Sequence, residues 1–231
     1  MLVPDFRLYL ITDRKQTGNR SRQDCRGDRP VAPTQDLGEI ETLLEVLEKA
    51  FRGGARAVQV REKDLSGREL YELAERVQDL AKKFKARVLI NDRVDIALAL
   101  DLDGVHLPVS GFPVAEVRKL LGPNRLIGAS THSLTEAQAA AEAGADFITF
   151  GPVYATASKA RYGPPVGVAA LREAVKRVLI PVFALGGIGP NHLAEVAASG
   201  AFGIAMISAV LAASDPEQAA RSLIERWQAR A

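Results

Sequence analysis

Short apolar runs alternate with longer stretches of helical periodicity along the whole of this 231-residue chain. Apolar runs at 7–12, 57–61, 87–91, 104–107, 126–130, 147–151, 182–186 and 203–208 predict strands. Amphipathic stretches at 40–52, 67–83, 94–100, 114–121, 134–143, 168–178, 190–198 and 216–230 predict the helices between and after them. The runs VLIN, FITFGP and PVFALGG are apolar throughout, the mark of parallel strands covered on both faces. Gly53-Gly54, Ala143-Gly144 and Ser199-Gly200 stand where helices should close before the next strand. Eight strand–helix units in a chain of this length predict an α/β fold, a single (β/α)8 TIM barrel over 1–231. An open doubly wound sheet is the structural rival.

Composition narrows the function. Thirty basic against 28 acidic side chains leave a net charge of +2, too balanced for a nucleic-acid or membrane-surface binder. Cys25 is the single cysteine, which excludes an intramolecular disulfide framework and a Cys-rich metal site. The N-terminal MLVPDFRLYLITDRK has no basic n-region before its apolar stretch and does not read as a secretory signal. No apolar run approaches the ~18–20 residues that cross a bilayer. The expectation is a cytoplasmic protein acting on small molecules, with a homo-oligomer left open.

One segment breaks the rhythm. Residues 15–39, KQTGNRSRQDCRGDRPVAPTQDLGE, form a polar insertion after the first predicted strand, where βα loops usually run about two to six residues. In a barrel this insertion lies at the face that carries chemistry. Two readings stand: a basic lid acting through Arg20, Arg22, Arg26 and Arg29, or a tolerated insertion. Cys25 has no histidine near it in sequence and reads as incidental rather than nucleophilic.

In such a barrel, polar residues at strand C-termini are the candidates for function. Gln59, Arg61 and Lys63 alternate onto one side of the second strand. Two cations and an amide there suit phosphate oxygens, or form a solvated strand end. Asn91-Asp92 can hold a base edge and Mg²⁺, or cap the following helix. In Ser130-Thr131-His132-Ser133, Ser133 reads as a helix cap, while Ser130 and His132 are open to proton transfer or leaving-group binding. His106, inside GVHL, reads as a core or rim histidine, and His192 as a surface residue starting a helix. Thr156, Ser158 and Lys159 form a plausible anion cradle. Gly186-Gly187 and the Ile207-Ser208 strand end mark the region where barrels often bind phosphate.

The motifs LYLITDR, AVQVREKD, LINDRVDIAL, DGVHL, IGASTHSLTEA, GADFITFGPVYATASK, PVFALGGI and GIAMISAV run in this order over nearly the whole chain. As an ordered set they resemble the thiamine-phosphate synthase family. The resemblance implies a transferase of thiamine biosynthesis, a thiamine-phosphate diphosphorylase. Such an enzyme joins 4-amino-5-hydroxymethyl-2-methylpyrimidine diphosphate to a thiazole phosphate (or its carboxylate) and releases pyrophosphate. It further implies that Gln59, Arg61, Lys63, Asn91, Ser130 and Lys159 hold the pyrimidine diphosphate and that Asp92 binds Mg²⁺. Thr156, Ala157, Ser158, Gly187, Ile207 and Ser208 would hold the thiazole phosphate.

The chain departs from the family at one place. After GVHL the family continues Gly-Gln-x-Asp, whose Asp is a second Mg²⁺ ligand. Here the Gln position reads as Val109 and the Asp position as Gly111. Asp64 or Asp103 are the carboxylates that could compensate, Asp64 the better placed. The same stretch resembles the related thiazole tautomerases, in which His132 would be the acid/base. A non-catalytic regulator that binds thiazole or thiamine phosphate is the reading from another class.

Overall fold

The computed structural model describes residues 2–17, 33–156 and 164–230. Eight strands run in chain order: β1 (Leu8–Ile11), β2 (Ala57–Val60), β3 (Arg87–Asn91), β4 (Gly104–Leu107), β5 (Leu126–Thr131), β6 (Phe147–Phe150), β7 (Val182–Leu185) and β8 (Gly203–Met206). Each pairs in parallel with the next, and β8 returns to β1 through Leu8↔Ile204 and Leu10↔Met206 to close the barrel. The predicted (β/α)8 fold is the one observed, and the open-sheet rival is excluded by that closure.

The helices among the described residues are α1 (Pro33–Arg52), α2 (Gly67–Lys83), α3 (Val94–Ala99), α4 (Val114–Leu121), α5 (Leu134–Glu142), α6 (Gly167–Arg177), α7 (Leu193–Ala198), α8 (Ser208–Leu211) and α9 (Pro216–Gln228). Helix α2 opens on a reciprocal cap, the Ser66 hydroxyl accepting from Glu69 N while the Glu69 carboxylate accepts from Ser66 N. Ser133 caps α5 as its spacing predicts, accepting from Glu136 N at 3.2 Å. Several other ends shift by one to three residues, and three differences from expectation bear on the site. Helix α1 begins at Pro33, and a single 3-10 turn occupies Arg14–Gln16, so the 15–39 insertion is trimmed at both ends. Strand β8 ends at Met206, and Ser208 starts the short α8 rather than finishing the strand. Asn91 and Asp92 do not cap α3, whose N-cap is Arg93 with no side-chain cap bond. Arg20, Arg22, Arg26 and Arg29, the residues of the lid reading, and Cys25 lie outside the described residues.

Alternation along the strands divides the core in two. Leu8, Leu10, Val58, Val60, Val105, Ile127 and Ile148 face the helices. Tyr9, Ile11, Ala57, Leu89, Leu126, Phe147, Phe183 and Ala205 face inward and join Phe6 to fill the barrel. The Phe147 ring stands edge-on to Tyr9 at 5.4 Å and to Phe6 at 5.9 Å. Rings of this size fit because neighbouring strands carry glycine: a Cβ at Gly203 would sit 2.5 Å from Phe183 Cε1 and 2.5 Å from the Arg7 carbonyl oxygen.

That seam gives a first prediction. Gly203→Ala must displace both the Phe183 ring and the β1 backbone, and should lower stability by about 1–3 kcal/mol. Urea denaturation reads this directly, and an unchanged midpoint would contradict the tight packing of β1 on β8.

Candidate functional site

Above the aromatic filling, inward positions one step further along the strands become polar. Gln59, buried, donates from Nε2 to Asn91 Oδ1 at 3.2 Å. His106, also buried, places Nε2 at 3.0 Å from Ser130 Oγ and 3.4 Å from Thr149 Oγ1. Burial, and then the nearby Arg61 charge, pull the His106 imidazole down to about 3, so it is neutral at ordinary pH. Its Nδ1 has no hydrogen-bond partner among the described residues. The sequence reading of His106 as a core histidine holds for its burial, but only one of its nitrogens is satisfied.

The β2 end emerges by degrees: Gln59 is buried, Arg61 half-buried and Lys63 exposed. Thr12 pins this end to β1, its N–H donating to the Gln59 carbonyl at 2.9 Å and its Oγ1 accepting from Arg61 N at 2.8 Å. Between the cations, Glu62 turns the other way and is buried against Arg14, accepting from the Arg14 backbone N–H at 3.1 Å and its Nη1 at 3.2 Å. Burial raises the Glu62 carboxyl above its ordinary value, outweighing the opposing bonds from Thr12 and Arg14. The same guanidinium holds Asp64 at 2.6 Å, and Lys15 holds its other oxygen at 2.6 Å. The bond from Arg14, seconded by Lys15, keeps the Asp64 carboxyl well below the usual range. Arg14 was not singled out from the sequence, and only its place inside LYLITDR hinted at a role.

This network corrects one expectation. Asp64 is engaged by Arg14 and Lys15 and does not stand in for the carboxylate missing at position 111. Asp103 is no replacement either: it precedes β4, accepts from Val88 N at 2.9 Å and pairs with Arg87 at 2.9 Å, all at the N-terminal ends of the strands.

The corner after β3 is unusual. Asp92 adopts φ +60, a left-handed conformation uncommon for a residue other than glycine, and its N–H donates to the His106 carbonyl at 3.0 Å. Its Oδ1 is buried with no hydrogen-bond partner among the described residues. A Cβ built on Gly111 would fall 2.6 Å from that oxygen. Position 111, where the family resemblance leads one to expect a second carboxylate, thus lies directly against Asp92. Beside it, Val109 and Phe112 are exposed apolar side chains. Among the described residues no group of three or more His, Cys, Asp and Glu side chains gathers as a metal cluster.

Across the mouth, the β6 and β7 backbones stay paired past their strands, Val153 N donating to Leu185 O at 2.8 Å and Tyr154 N to Gly186 O at 3.0 Å. Gly187, at φ +65, admits this approach, since a Cβ there would lie 2.7 Å from the Ala155 carbonyl oxygen. Tyr154 stacks on His192 at 4.0 Å between centroids and donates its hydroxyl to Glu195 at 2.7 Å. His192, expected at the surface, is therefore half-buried beneath a ring, which periodicity could not reveal. Thr156 is half-buried next to this loop, while Ala157, Ser158 and Lys159 lie outside the described residues. Ile207 precedes the exposed Ser208 at the start of α8. His132 is exposed; its Nδ1 bonds the Gly151 carbonyl and so carries the proton. Among the described residues it makes no hydrogen bond to Ser130.

The structure therefore brings Gln59 to Asn91, Ser130 to His106, and Asp92 to Gly111, all at the C-terminal ends of β2 to β5. A family model described as thiamine monophosphate synthase matches residues 30–210. A Geobacter sulfurreducens relative with a provisional thiamine-phosphate synthase name is 52% identical over 224 residues, covering 97% of this chain and 95% of that protein. A Clostridium novyi thiamine-phosphate synthase is 39% identical over 219 residues, covering 95% of this chain and 97% of its own. The solved thiamine phosphate pyrophosphorylase from Pyrococcus furiosus superposes with a TM-score of 0.80 at 34% identity, covering 97% of this chain and 96% of that one.

Arg14→Met should test the buried ion pair beneath the β2 end. It leaves the Glu62 carboxylate without its cation and should cost about 3–5 kcal/mol of stability. Paired Arg14→Met/Glu62→Gln should recover part of that loss in urea melts; equal losses would show that the pair does not govern the β1–β2 corner.

Proposed function

The chain belongs to the thiamine monophosphate synthase family, and on that basis we propose how its site condenses a pyrimidine diphosphate with a thiazole phosphate to give thiamine phosphate and pyrophosphate. The observation that carries the reading is Oδ1 of the half-buried Asp92, itself buried and without a hydrogen-bond partner among the described residues, in a left-handed corner beside the Gln59–Asn91 amide pair. Such an uncompensated group is costly unless a ligand completes it.

Gln59 uses one amide N–H on Asn91, which leaves its carbonyl oxygen and the Asn91 amide N–H groups to meet the polar edge of an aminopyrimidine. Arg61 and Lys63 stand further out on the same strand end, where they would neutralise the diphosphate, with Ser130 and Lys159 as further donors. Mg²⁺ fits this donor set with Asp92 as its one carboxylate, because the ion is often held by one or two carboxylates plus phosphate oxygens. When bound it supplies further neutralisation of the leaving group.

The C–O bond to the diphosphate breaks with its electron pair leaving on oxygen. The electron-rich aminopyrimidine stabilises the resulting methylene cation, and the thiazole nitrogen lone pair forms the new C–N bond. Thr156, Ala157, Ser158, Gly187, Ile207 and Ser208 would hold the thiazole phosphate so that the nitrogen faces this carbon, and positioning supplies much of the gain. No proton moves in these steps. His132 is therefore assigned no acid–base part in them, and its bond to the Gly151 carbonyl ties the β5 end to the loop bearing Thr156.

The purified chain, given both substrates and Mg²⁺, should form thiamine phosphate and pyrophosphate in equal amounts by chromatography. Arg61→Ala should reduce kcat/KM by roughly 10²–10³-fold, as for loss of one donor to a developing anion. Absence of product, together with His132-dependent aromatisation of a thiazole carboxylate tautomer, would overturn the synthase reading. In a separate test, Gly111→Asp should lower stability without Mg²⁺, because its Cβ and charge crowd Asp92. The same variant should need several-fold less Mg²⁺ for half-maximal rate; an unchanged Mg²⁺ requirement would count against Asp92 as the metal ligand.

A further inference from the structure

His106 takes no part in the reaction as set out above, yet it is held with unusual closeness beneath the site. The imidazole is 1% exposed. Its ring lies 5.7 Å from Tyr9 and 5.8 Å from Phe147 between centroids. Gly128 lies against its other nitrogen, where a Cβ would fall 2.5 Å from Nδ1. Packed on these sides, the ring keeps Nε2 toward Ser130 Oγ, 3.0 Å away.

The neutral ring has two tautomers. A proton on Nδ1 would be a buried N–H donor with no acceptor, because that atom has no partner among the described residues. A proton on Nε2 leaves only an unpaired lone pair at Nδ1. Orphaned buried N–H groups are rarer than under-satisfied acceptors, so Nε2–H is favoured. It then donates to Ser130 Oγ, with the Thr149 hydroxyl as a weaker neighbour at 3.4 Å. A serine oxygen that accepts one bond keeps its own O–H for another acceptor. Ser130 is half-buried at the end of β5, so that O–H is available to the open end of the barrel.

We propose that His106 is a positioning residue: its fixed Nε2–H holds Ser130 as a hydrogen-bond donor to an oxygen of the departing diphosphate. The opposite tautomer would draw the serine proton into Nε2 and turn oxygen lone pairs toward an anion. The proposal rests on the reading that Ser130 touches the diphosphate.

The test combines kinetics with a direct reading of the proton. Steady-state rates of thiamine phosphate formation are compared for Ser130→Ala, His106→Leu, His106→Gln and the double variant His106→Leu/Ser130→Ala. Ser130→Ala and His106→Leu should each lower kcat by roughly 10- to 100-fold, the range of a hydrogen bond to a charged group. In the double variant His106→Leu should add little, since its effect runs through a hydroxyl already gone. His106→Gln, which keeps an N–H donor, should recover most of the rate. Multiplying losses in the double variant, with Ser130→Ala impaired, would overturn the proposal alone. An unimpaired Ser130→Ala would overturn the diphosphate reading and the proposal with it. Nitrogen NMR of the unsubstituted protein decides the tautomer whether or not the leucine variants fold. A protonated Nε2 and bare Nδ1 at His106 are expected, and a proton on Nδ1 would overturn the proposal.

Discussion

Filling the inside of the barrel is the constraint on which the site depends. Eight short parallel strands enclose a space that only inward-facing side chains can occupy, and here aromatic rings take most of its lower part. Phe6, Tyr9, Phe147 and Phe183 pack edge and face against one another, with glycine on adjoining strands making room for them. The next inward positions along β2, β4, β5 and β6 are Gln59, His106, Ser130 and Thr149. They form a floor of polar groups resting on rings that cannot yield without loss of packing. The chemistry above inherits its rigidity from that apolar layer.

A second support comes from outside the barrel. Arg14 reaches Glu62 and Asp64 from the turn after β1, while Thr12 bonds β2 at Gln59 and Arg61. Past the end of β2, Arg61 is half-buried and Lys63 exposed, while Glu62 between them is buried against Arg14. Because Arg14 balances the buried Glu62, the cations at this strand end are not drawn into internal pairs by the carboxylate between them. A strand end rich in charge thus separates into a buried structural pair and two more exposed cations.

Much of this was legible in the sequence, and the reasons are local. Apolar runs under eight residues with intervening helical periodicity have few other folds, so the barrel could be read directly. The strand-end polar residues follow from the same register. What the sequence concealed was set by distant contacts. Arg14 and Glu62 are separated by 48 positions. Tyr154 stacks on His192 through the packing of two loops. The end of β8 was misjudged because apolar Ile207 continues the run past Met206, and Ser208, which starts α8, reads as a polar strand end. The helix-cap alternative for Asp92 rested on residue type alone; its backbone N–H instead donates to the His106 carbonyl, and its φ lies in the left-handed region. Position 111 stood out through the resemblance, and only the folded chain shows how closely it approaches Asp92.

The Asp92 Oδ1, without a hydrogen-bond partner among the described residues, has a meaning for the lifetime of the protein as well as for its reaction. A ligand that satisfies this oxygen can do so only in the folded chain, where the corner exists, and so it draws the folding equilibrium toward the native state. The unliganded chain is then the form more exposed to local opening and to proteases, since degradation follows the population of opened molecules. In a cell, the standing amount of this protein would accordingly rise and fall with the supply of whatever fills that corner.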